Sequence, residues 1–520
     1  MKTESSATNG SKSSSFAKIL PLEELSKIIQ AAKKKGKTVV QCHGVFDLLH
    51  PGHIHHFEAA KKEGDILVVT LTPDEHVNKG PGRPVFNQRL RAESIASIGC
   101  VDYVAVNLWP TAIETIKKIQ PNIYVKGSDY EKASDDLTGK ITEEEEAVQA
   151  VGGRIHFTHE VSFSSTELLN RHYMVYPDQA QLYLEKFRKK YQPQQVIDVL
   201  KGLSNLKVLV IGETIIDEYH YCNPMGKSAK ESIVVWKYSN EEAFPGGILA
   251  CANHLAGFTE HVDLVSILGK ENSREDFILE NLKPHVKPIF FYRDDAPTIV
   301  KRRFVWDPFL VKMFEVAFIE DHPVAPKLEK EIIKTLNKIL PRYDMVIVTD
   351  YGHGFLTPGM IDVLSKKSKF LAVNTQTNSA NTGFNTIIKY PRADYACIDE
   401  PEMRLAHQSK FGKLEDLIVK SAKALKCQYL TVTRGHHGSL VYSKKDGFAS
   451  APIFSKEIVD RVGAGDAFLA ITAPCVMKKV PADLVAFIGN TVGALAVKIV
   501  GNRTAIEPVA LYKFINALLK

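Results

Sequence analysis

Two short runs carry side chains whose type and spacing suit phosphate chemistry. The first reads Gly44-Val-Phe46-Asp47-Leu-Leu-His50-Pro-Gly-His53, where a β-branched stretch stops and helical character begins. Two imidazoles three positions apart around a turn reach one phosphate group, and a helix start adds backbone N–H groups and the positive end of a dipole. Helix capping with incidental histidines, His55 and His56 among them, is the plain alternative. Zinc lacks a third ligand here, and the spacing is not H-E-x-x-H.

The second run is Asp460-Arg-Val-Gly463-Ala464-Gly465-Asp466-Ala-Phe468, ahead of an apolar helical stretch. Small residues at a helix N-terminus let N–H groups approach a phosphate. A carboxylate at Asp466 can then take a proton from a hydroxyl while those N–H groups offset charge on a transferred phosphoryl. A glycine-rich turn with a capping aspartate is the alternative. The run is not a dinucleotide fingerprint, because Phe468 stands at the third glycine position. Gly226-Lys-Ser228 is not a P-loop, because Tyr221 stands at its first glycine.

The elements that must hold these runs alternate between strand and helix. Apolar β-branched runs at 38–42, 65–70, 103–106, 123–126 and 154–158 read as strands, with helices at 53–62 and 111–119 between them. That alternation predicts an α/β unit with a mainly parallel sheet. Residues 135–146, with four consecutive glutamates, read as a solvated helical insertion. A second α/β pattern opens at 207–212, with strands expected at 262–267, 345–349, 370–373, 395–398 and 429–433. The predicted organisation is a disordered tail over 1–20, a first domain over 21–172, a helical linker over 173–205 and a second domain over 206–520.

Composition narrows the function classes. Of 520 residues, 44% are hydrophobic and 24% charged, which excludes a fully disordered, collagen-like or coiled-coil chain. Lys and Arg number 66 against 60 Asp and Glu, a net charge of +6. That balance gives no argument for a nucleic-acid or membrane partner and leaves anionic small molecules open. The seven cysteines are scattered without a C-x-x-C pair, so neither a disulfide framework nor a structural zinc site is expected, and a reducing cytoplasmic setting is. The Ser-, Lys- and Thr-rich N-terminus has no apolar core for a signal peptide. Leu484 to Val497 falls short of a membrane span and reads as a buried helix.

The first run resembles the H-x-G-H signature of the nucleotidyltransferase superfamily, in the branch with G-x-F-D-x-x-H-x-G-H. Further resemblances follow in order: Lys79-Gly80 and Arg83-Pro84 to a basic loop, and Gln88-Arg89 to the next helix. Tyr124-Val-Lys126-Gly127-Ser-Asp129-Tyr resembles the V-K-G-G-D-Y of bacterial heptose-phosphate adenylyltransferases, and Ser164-Ser165-Thr166 a closing motif at a helix start. The resemblance implies in-line attack by a sugar phosphate on the α-phosphorus of ATP or CTP, releasing pyrophosphate. It places His50 and His53 on the triphosphate, with Gly44 and Phe46 in the same loop. Lys79, Arg89, Lys126, Gly127, Ser164, Ser165 and Thr166 fall to the phosphates, and Asp47 and Asp129 either shape the loop or contact the nucleotide.

The second run resembles the D-x-x-G-A-G-D-x-F signature of ribokinase-like (PfkB) carbohydrate kinases. Gly212 with Asp217, Pro245-Gly246-Gly247, Asp350-Tyr-Gly352, Thr433-Arg-Gly435 with Gly438, and Val500-Gly-Asn fall in family order. The resemblance implies a base at Asp466, an anion hole at Gly463, Ala464 and Gly465, and nucleotide contacts at Thr433, Gly435, Gly438 and Asn490. It implies a sugar pocket at Asp217, Gly246 and Gly247, and a magnesium role for Glu402 beside Asp399. Three positions depart from the pattern. Ala250 replaces a sugar-binding asparagine, His353 a lysine, and Asn374-Thr-Gln376 a D-P-K triplet. Each lost hydrogen bond is worth about 1 kcal/mol or more, so an acceptor other than heptose phosphate is expected.

Together the halves resemble the bifunctional heptose-phosphate kinase/adenylyltransferases in reversed order. That implies a sugar kinase and sugar-phosphate nucleotidyltransferase feeding envelope or capsule polysaccharide, while the linker helices and apolar sheet edges leave a homodimer open. The alternatives are a glycerol- or amino-alcohol-phosphate transferase, or a second half reduced to a silent ligand-binding or dimerisation module.

Overall fold

The apolar runs of the first half pair into one parallel sheet. In the computed structural model, which describes residues 16–77, 79–81, 83–128, 140–158 and 176–520, its strands are β1 (Val39–Gly44), β2 (Ile66–Leu71), β3 (Tyr103–Val106), β4 (Ile123–Gly127) and β5 (Arg154–Thr158). All neighbours are parallel, in the order β3-β2-β1-β4-β5. Central strands of a sheet covered on both faces must be apolar on both. Accordingly Val40, Cys42, Leu67 and Val69 face one core, while Val39 and Val68 face another with Leu25 and Ile29. The order reverses between β1 and β4, and at such a switch point connections leave on opposite faces and open a crevice at the strands' carboxyl ends.

The chain divides into two units, Met1–Val175 with Tyr512–Leu518 and Lys520, and Tyr176–Leu511 with Leu519. In the second unit lie β6 (Lys207–Gly212), β7 (Thr214–Lys227), β8 (Val234–Gly247), β9 (His261–Gly269), β10 (Val286–Arg293), β11 (Ile299–Trp306), β12 (Val311–Phe318), β13 (Met345–Asp350) and β14 (Leu371–Thr375). After them come β15 (Tyr395–Asp399), β16 (Tyr429–Thr433), β17 (Ser439–Ser443) and β18 (Gly447–Ala451). Nine of these make one sheet, β10-β9-β6-β13-β14-β15-β16-β17-β18, and the other four a second sheet, β12-β11-β7-β8. The nine-stranded sheet is parallel as far as β16 and antiparallel beyond it. Helices Ala464–Met477 and Ala482–Ala496 are apolar almost all round and correspondingly buried. Among the described residues no helix is long and apolar enough to cross a membrane.

Two stretches differ from the sequence reading. The helices expected as a linker, Asp178–Arg188 and Pro193–Lys201, pack within the second unit: Phe187 stacks on Phe487 at 4.3 Å, and Lys190 pairs with Asp483 at 2.5 Å. Their apolar stripe of Leu184, Phe187, Val196, Ile197 and Leu200 is buried, which a free linker would leave wet. The glutamate-rich stretch also differs. Helix Ile141–Ala150 buries Ile141, Glu144, Ala147 and Val148, so it is an amphipathic sheet-packing helix. Of the tail expected over 1–20, residues 1–15 lie outside the described residues, while 16–20 are held against β3, with Leu20 N donating to Val104 O at 3.0 Å.

Candidate active sites

β1 carries the chain to the switch-point crevice, and the turn beyond it holds the histidine pair. His50 is the extended N-cap residue of helix Pro51–Lys62, with Pro51 in its first turn, and its side chain makes no capping bond. Its backbone carbonyl accepts from His53 N at 2.9 Å, and the two rings stack with centroids 3.8 Å apart. Phe46, at φ 47°, sets its ring edge against His53 at 5.3 Å and against Phe57 at 5.0 Å. A Cβ at Gly44 would come 3.0 Å from the Phe46 ring. Burial, then neighbouring His50 and Lys79, pushes His53 down to about 3, and burial with Lys79 lowers His50. Burial and the nearby Arg83 bring Lys79 down to about 8. Imidazoles whose charged form is disfavoured, beside a lysine, suit a ligand that brings negative charge, as a polyphosphate does.

Asp47 shapes the loop. Its carboxylate accepts from Arg83 Nε at 2.5 Å, Val85 N at 2.6 Å and Phe86 N at 3.3 Å. Lys126 closes β4 beside Gly127, and Glu144 Oε2 lies 2.7 Å from its ammonium. The Arg89 side chain is 84% exposed and pairs with Glu93 one helical turn on. Arg91 is the buried one, tied to Val45 O, Thr72 O, Phe86 O and Asp74. Neither Arg91 nor Glu144 stands out in the sequence, because burial is what distinguishes them from adjacent like charges. Asp129, Ser164, Ser165 and Thr166 lie outside the described residues.

In the second unit the glycine-rich turn opens helix Ala464–Met477, with Gly463 as a left-handed N-cap at φ 81°. A Cβ there would fall 1.9 Å from Asn502 Oδ1, so only glycine fits. Asp460 anchors the turn, accepting from Tyr219 Oη at 2.6 Å and Gly501 N at 2.9 Å and pairing with Lys312. On one side of the helix start lies a cavity of about 370 Å³. Ala464, Gly465, Thr433, Gly435, Gly438 and Asn490 line it, as do Asp399 and Glu402. Asn490 is fixed there by bonds to Ser439 Oγ and Ala486 O. On the other side Asp466 meets the Tyr351 hydroxyl at 2.6 Å and feels the charge of Asp217. Asp217 pairs with Arg303 from β11, and a Cβ at Gly246 would fall 2.1 Å from its carboxylate.

Asp399 and Glu402 form a reciprocal cap. Asp399 Oδ1 accepts from Glu402 N, Glu402 Oε2 from Asp399 N, both at 2.8 Å, and Glu402 Oε1 accepts from Thr377 N at 2.9 Å. Burial raises both carboxyls; the Asp399 charge adds to it at Glu402, and the nearby Glu400 adds to it at Asp399, whose bonds to Glu402 pull the other way. Buried carboxylates facing one cavity suit a cation held chiefly by water and phosphate oxygens. No group of three His, Cys, Asp or Glu side chains forms a metal cage among the described residues. At the departing positions, Ala250 is buried, and His353 is buried with Nδ1 3.1 Å from Asp321. Asn374 Nδ2 donates to Cys397 O at 2.7 Å.

Residues 41–171 match the family described as Cytidylyltransferase-like, and residues 360–508 match the pfkB family carbohydrate kinase. The chain therefore carries a cytidylyltransferase-like domain followed by a pfkB carbohydrate kinase domain, both of α/β class. Its first domain is similar to the Bifunctional protein HldE of Syntrophotalea carbinolica, at 37% identity over 152 residues, 29% of this chain and 30% of that protein. It is likewise similar to Bifunctional protein HldE of Geobacter metallireducens, at 38% over 156 residues, 30% of each. The match thus spans about 30% of the length of these curated relatives. Among solved structures, ribokinase from Thermotoga maritima superposes with a TM-score of 0.47 at 18% identity, covering 59% of this chain and 99% of that one.

Proposed function

We propose that the chain is a bifunctional enzyme: a sugar-phosphate nucleotidyltransferase in the first unit and a sugar kinase in the second. The observation that carries the first activity is the stacked His50–His53 pair at the β1/β4 switch point, with Lys79 in electrostatic reach of both. A phosphate oxygen of the acceptor attacks the α-phosphorus of ATP or CTP. As that bond forms, the bond from the α-phosphorus to the bridging oxygen breaks and pyrophosphate leaves. No covalent intermediate is needed, so positioning and charge stabilisation by the histidines, Lys79 and Lys126 supply the catalysis.

In the second unit the cavity holds ATP, and the helix start at 463–465 receives the transferring phosphoryl. Asp466 takes the acceptor's hydroxyl proton while Asp217, Gly246 and Gly247 frame the sugar. Glu402 and Asp399 would hold magnesium, which would supply neutralisation of phosphate charge there. Ala250 supports an acceptor other than heptose 7-phosphate, since no polar group stands there to be matched. The product is a nucleoside-diphosphate-activated sugar for envelope or capsule polysaccharide. Seven free cysteines support a cytoplasmic setting. Exposed Phe314, Val316 and Phe318 on β12 support a homodimer, which sedimentation equilibrium tests.

The deciding experiment incubates the protein with each nucleoside triphosphate and a panel of sugar 1-phosphates, glycerol phosphate and amino-alcohol phosphates, measuring pyrophosphate, and with ATP and free sugars, measuring ADP. Pyrophosphate with the glycerol or amino-alcohol compounds alone selects the non-sugar transferase. ATP binding without ADP selects a silent second unit.

A further inference from the structure

Tyr351, immediately after β13, has no role in the reading above, yet every polar atom it owns is used. Its N–H donates to Glu213 Oε2 at 3.1 Å, and its carbonyl accepts from Asn378 Nδ2 at 2.8 Å and Asn381 Nδ2 at 2.6 Å. Its hydroxyl donates to Asp466 Oδ1 at 2.6 Å, and the residue is 2% exposed. Glu213 is fully buried and also accepts from His353 N at 3.1 Å, so one carboxylate sets the path of residues 351–353. Gly352 bends that path at φ 71°, where the Asn381 and Asn385 amides leave no room for a side chain. A phenylalanine ring would fill the same volume. A buried hydroxyl needs a partner, and the partner provided here is the base itself.

We propose that Tyr351 is the positioning residue that holds the Asp466 carboxylate ionised and oriented, so that phosphoryl transfer runs at neutral pH. The inference rests on the kinase reading of the second unit. A donated hydrogen bond favours the charged carboxylate, and it pins one oxygen so that the other faces the acceptor. The remaining titratable groups facing Asp466 are Asp217 from β7, Lys301 from β11, Cys251 from helix Ile248–Leu255, and Cys397 from β15. Burial keeps both thiols neutral. Burial pushes Asp466 up, the Tyr351 bond pulls it down, Asp217 raises it and Lys301 lowers it, leaving it at about 7. Without the hydroxyl, Lys301 alone opposes burial and Asp217. In the step itself the acceptor proton goes to Asp466, the acceptor oxygen bonds to the γ-phosphorus, and the bond from that phosphorus to the departing ADP oxygen breaks. Tyr351 keeps its proton throughout, because burial raises its phenol well above the usual range.

The test is Tyr351→Phe, read as the pH profile of kcat/KM for acceptor-dependent ADP formation. The acid limb should move up by about one to two pH units. Activity should then fall roughly tenfold or more near pH 6.5 and return to within about threefold of wild type near pH 9, with the KM values for ATP and acceptor unchanged. A loss uniform across pH, or a raised KM with an unshifted limb, overturns the proposal. Carboxyl-¹³C aspartate labelling separates this outcome from failure of the kinase reading. The resonance missing in Asp466→Asn identifies Asp466, and its titration should sit higher in Tyr351→Phe than in wild type. If the wild type forms no ADP with any acceptor, the kinase reading falls while the carboxyl titration still decides the Tyr351–Asp466 coupling. An unchanged titration overturns it.

Discussion

A stacked imidazole pair resists carrying two charges, and burial keeps His53 neutral well below physiological pH. A bound triphosphate reverses that balance by placing negative charge beside the rings. The histidines' pKa is then raised by the ligand, so protons are taken up on binding and affinity strengthens as pH falls through the bound-state value. Calorimetry in buffers of different ionisation enthalpy should show net proton uptake near pH 7, absent in the His50→Ala/His53→Ala double variant. Either single substitution should cut pyrophosphate release by about two orders of magnitude or more, the scale of losing a charge-stabilising donor. Asp466→Asn should abolish sugar-dependent ADP formation while ATP affinity stays within about threefold, since the base acts in the chemical step. The two arginines make a paired test. Arg89→Ala should leave activity within about twofold, because that side chain is solvated. Arg91→Ala strands three backbone carbonyls and removes the ion pair to half-exposed Asp74, and should cost about 2 kcal/mol or more in chemical denaturation. Spacing and residue type marked the histidines. Nothing local separates Arg89 from Arg91, since both are cations on the same helix and only its packing direction divides them.

At the scale of elements, apolar β-branched runs were legible wherever a strand is buried on both faces, as in β1, β2, β6, β13 and β16. The four-stranded sheet was not. Its strands mix charge with aromatic residues, Glu218, Arg302 and Lys312 among them, because much of it is wet on both faces: β12 and the first ten residues of β8 are exposed or half-buried throughout. Helix Asp178–Arg188 was legible as a helix but not as a packed one, because its partner Phe487 lies 300 residues further along the chain. Phe187→Ala removes an aromatic side chain that is 5% exposed, so the second unit should lose about 3 kcal/mol or more, measured by urea unfolding followed by ADP formation. Pyrophosphate release under native conditions should be unaffected.

For the whole molecule, two units proposed to carry separate chemistries predict separable lesions. His53→Ala should leave ADP formation at the wild-type rate, and Asp466→Asn should leave pyrophosphate release unchanged when a sugar 1-phosphate is supplied directly. A mixed lesion in either variant would show that one unit's chemistry depends on the other.

Composition and strand–helix alternation were enough to place the chain in the α/β class, and two spaced motifs to single out runs suited to phosphate, because those signals are local: three residues of spacing or a buried strand's period. Local signals do not reach across the sheet. That Glu144 would neutralise Lys126, that Asp47 would grip Arg83, and that Tyr351 would meet Asp466 across 115 positions were decided only when the strands paired and brought distant turns to the same carboxyl edge. Each of these contacts is between charged or polar groups whose partner is settled by which is desolvated together with which, and desolvation is a property of the packed fold rather than of the chain's order.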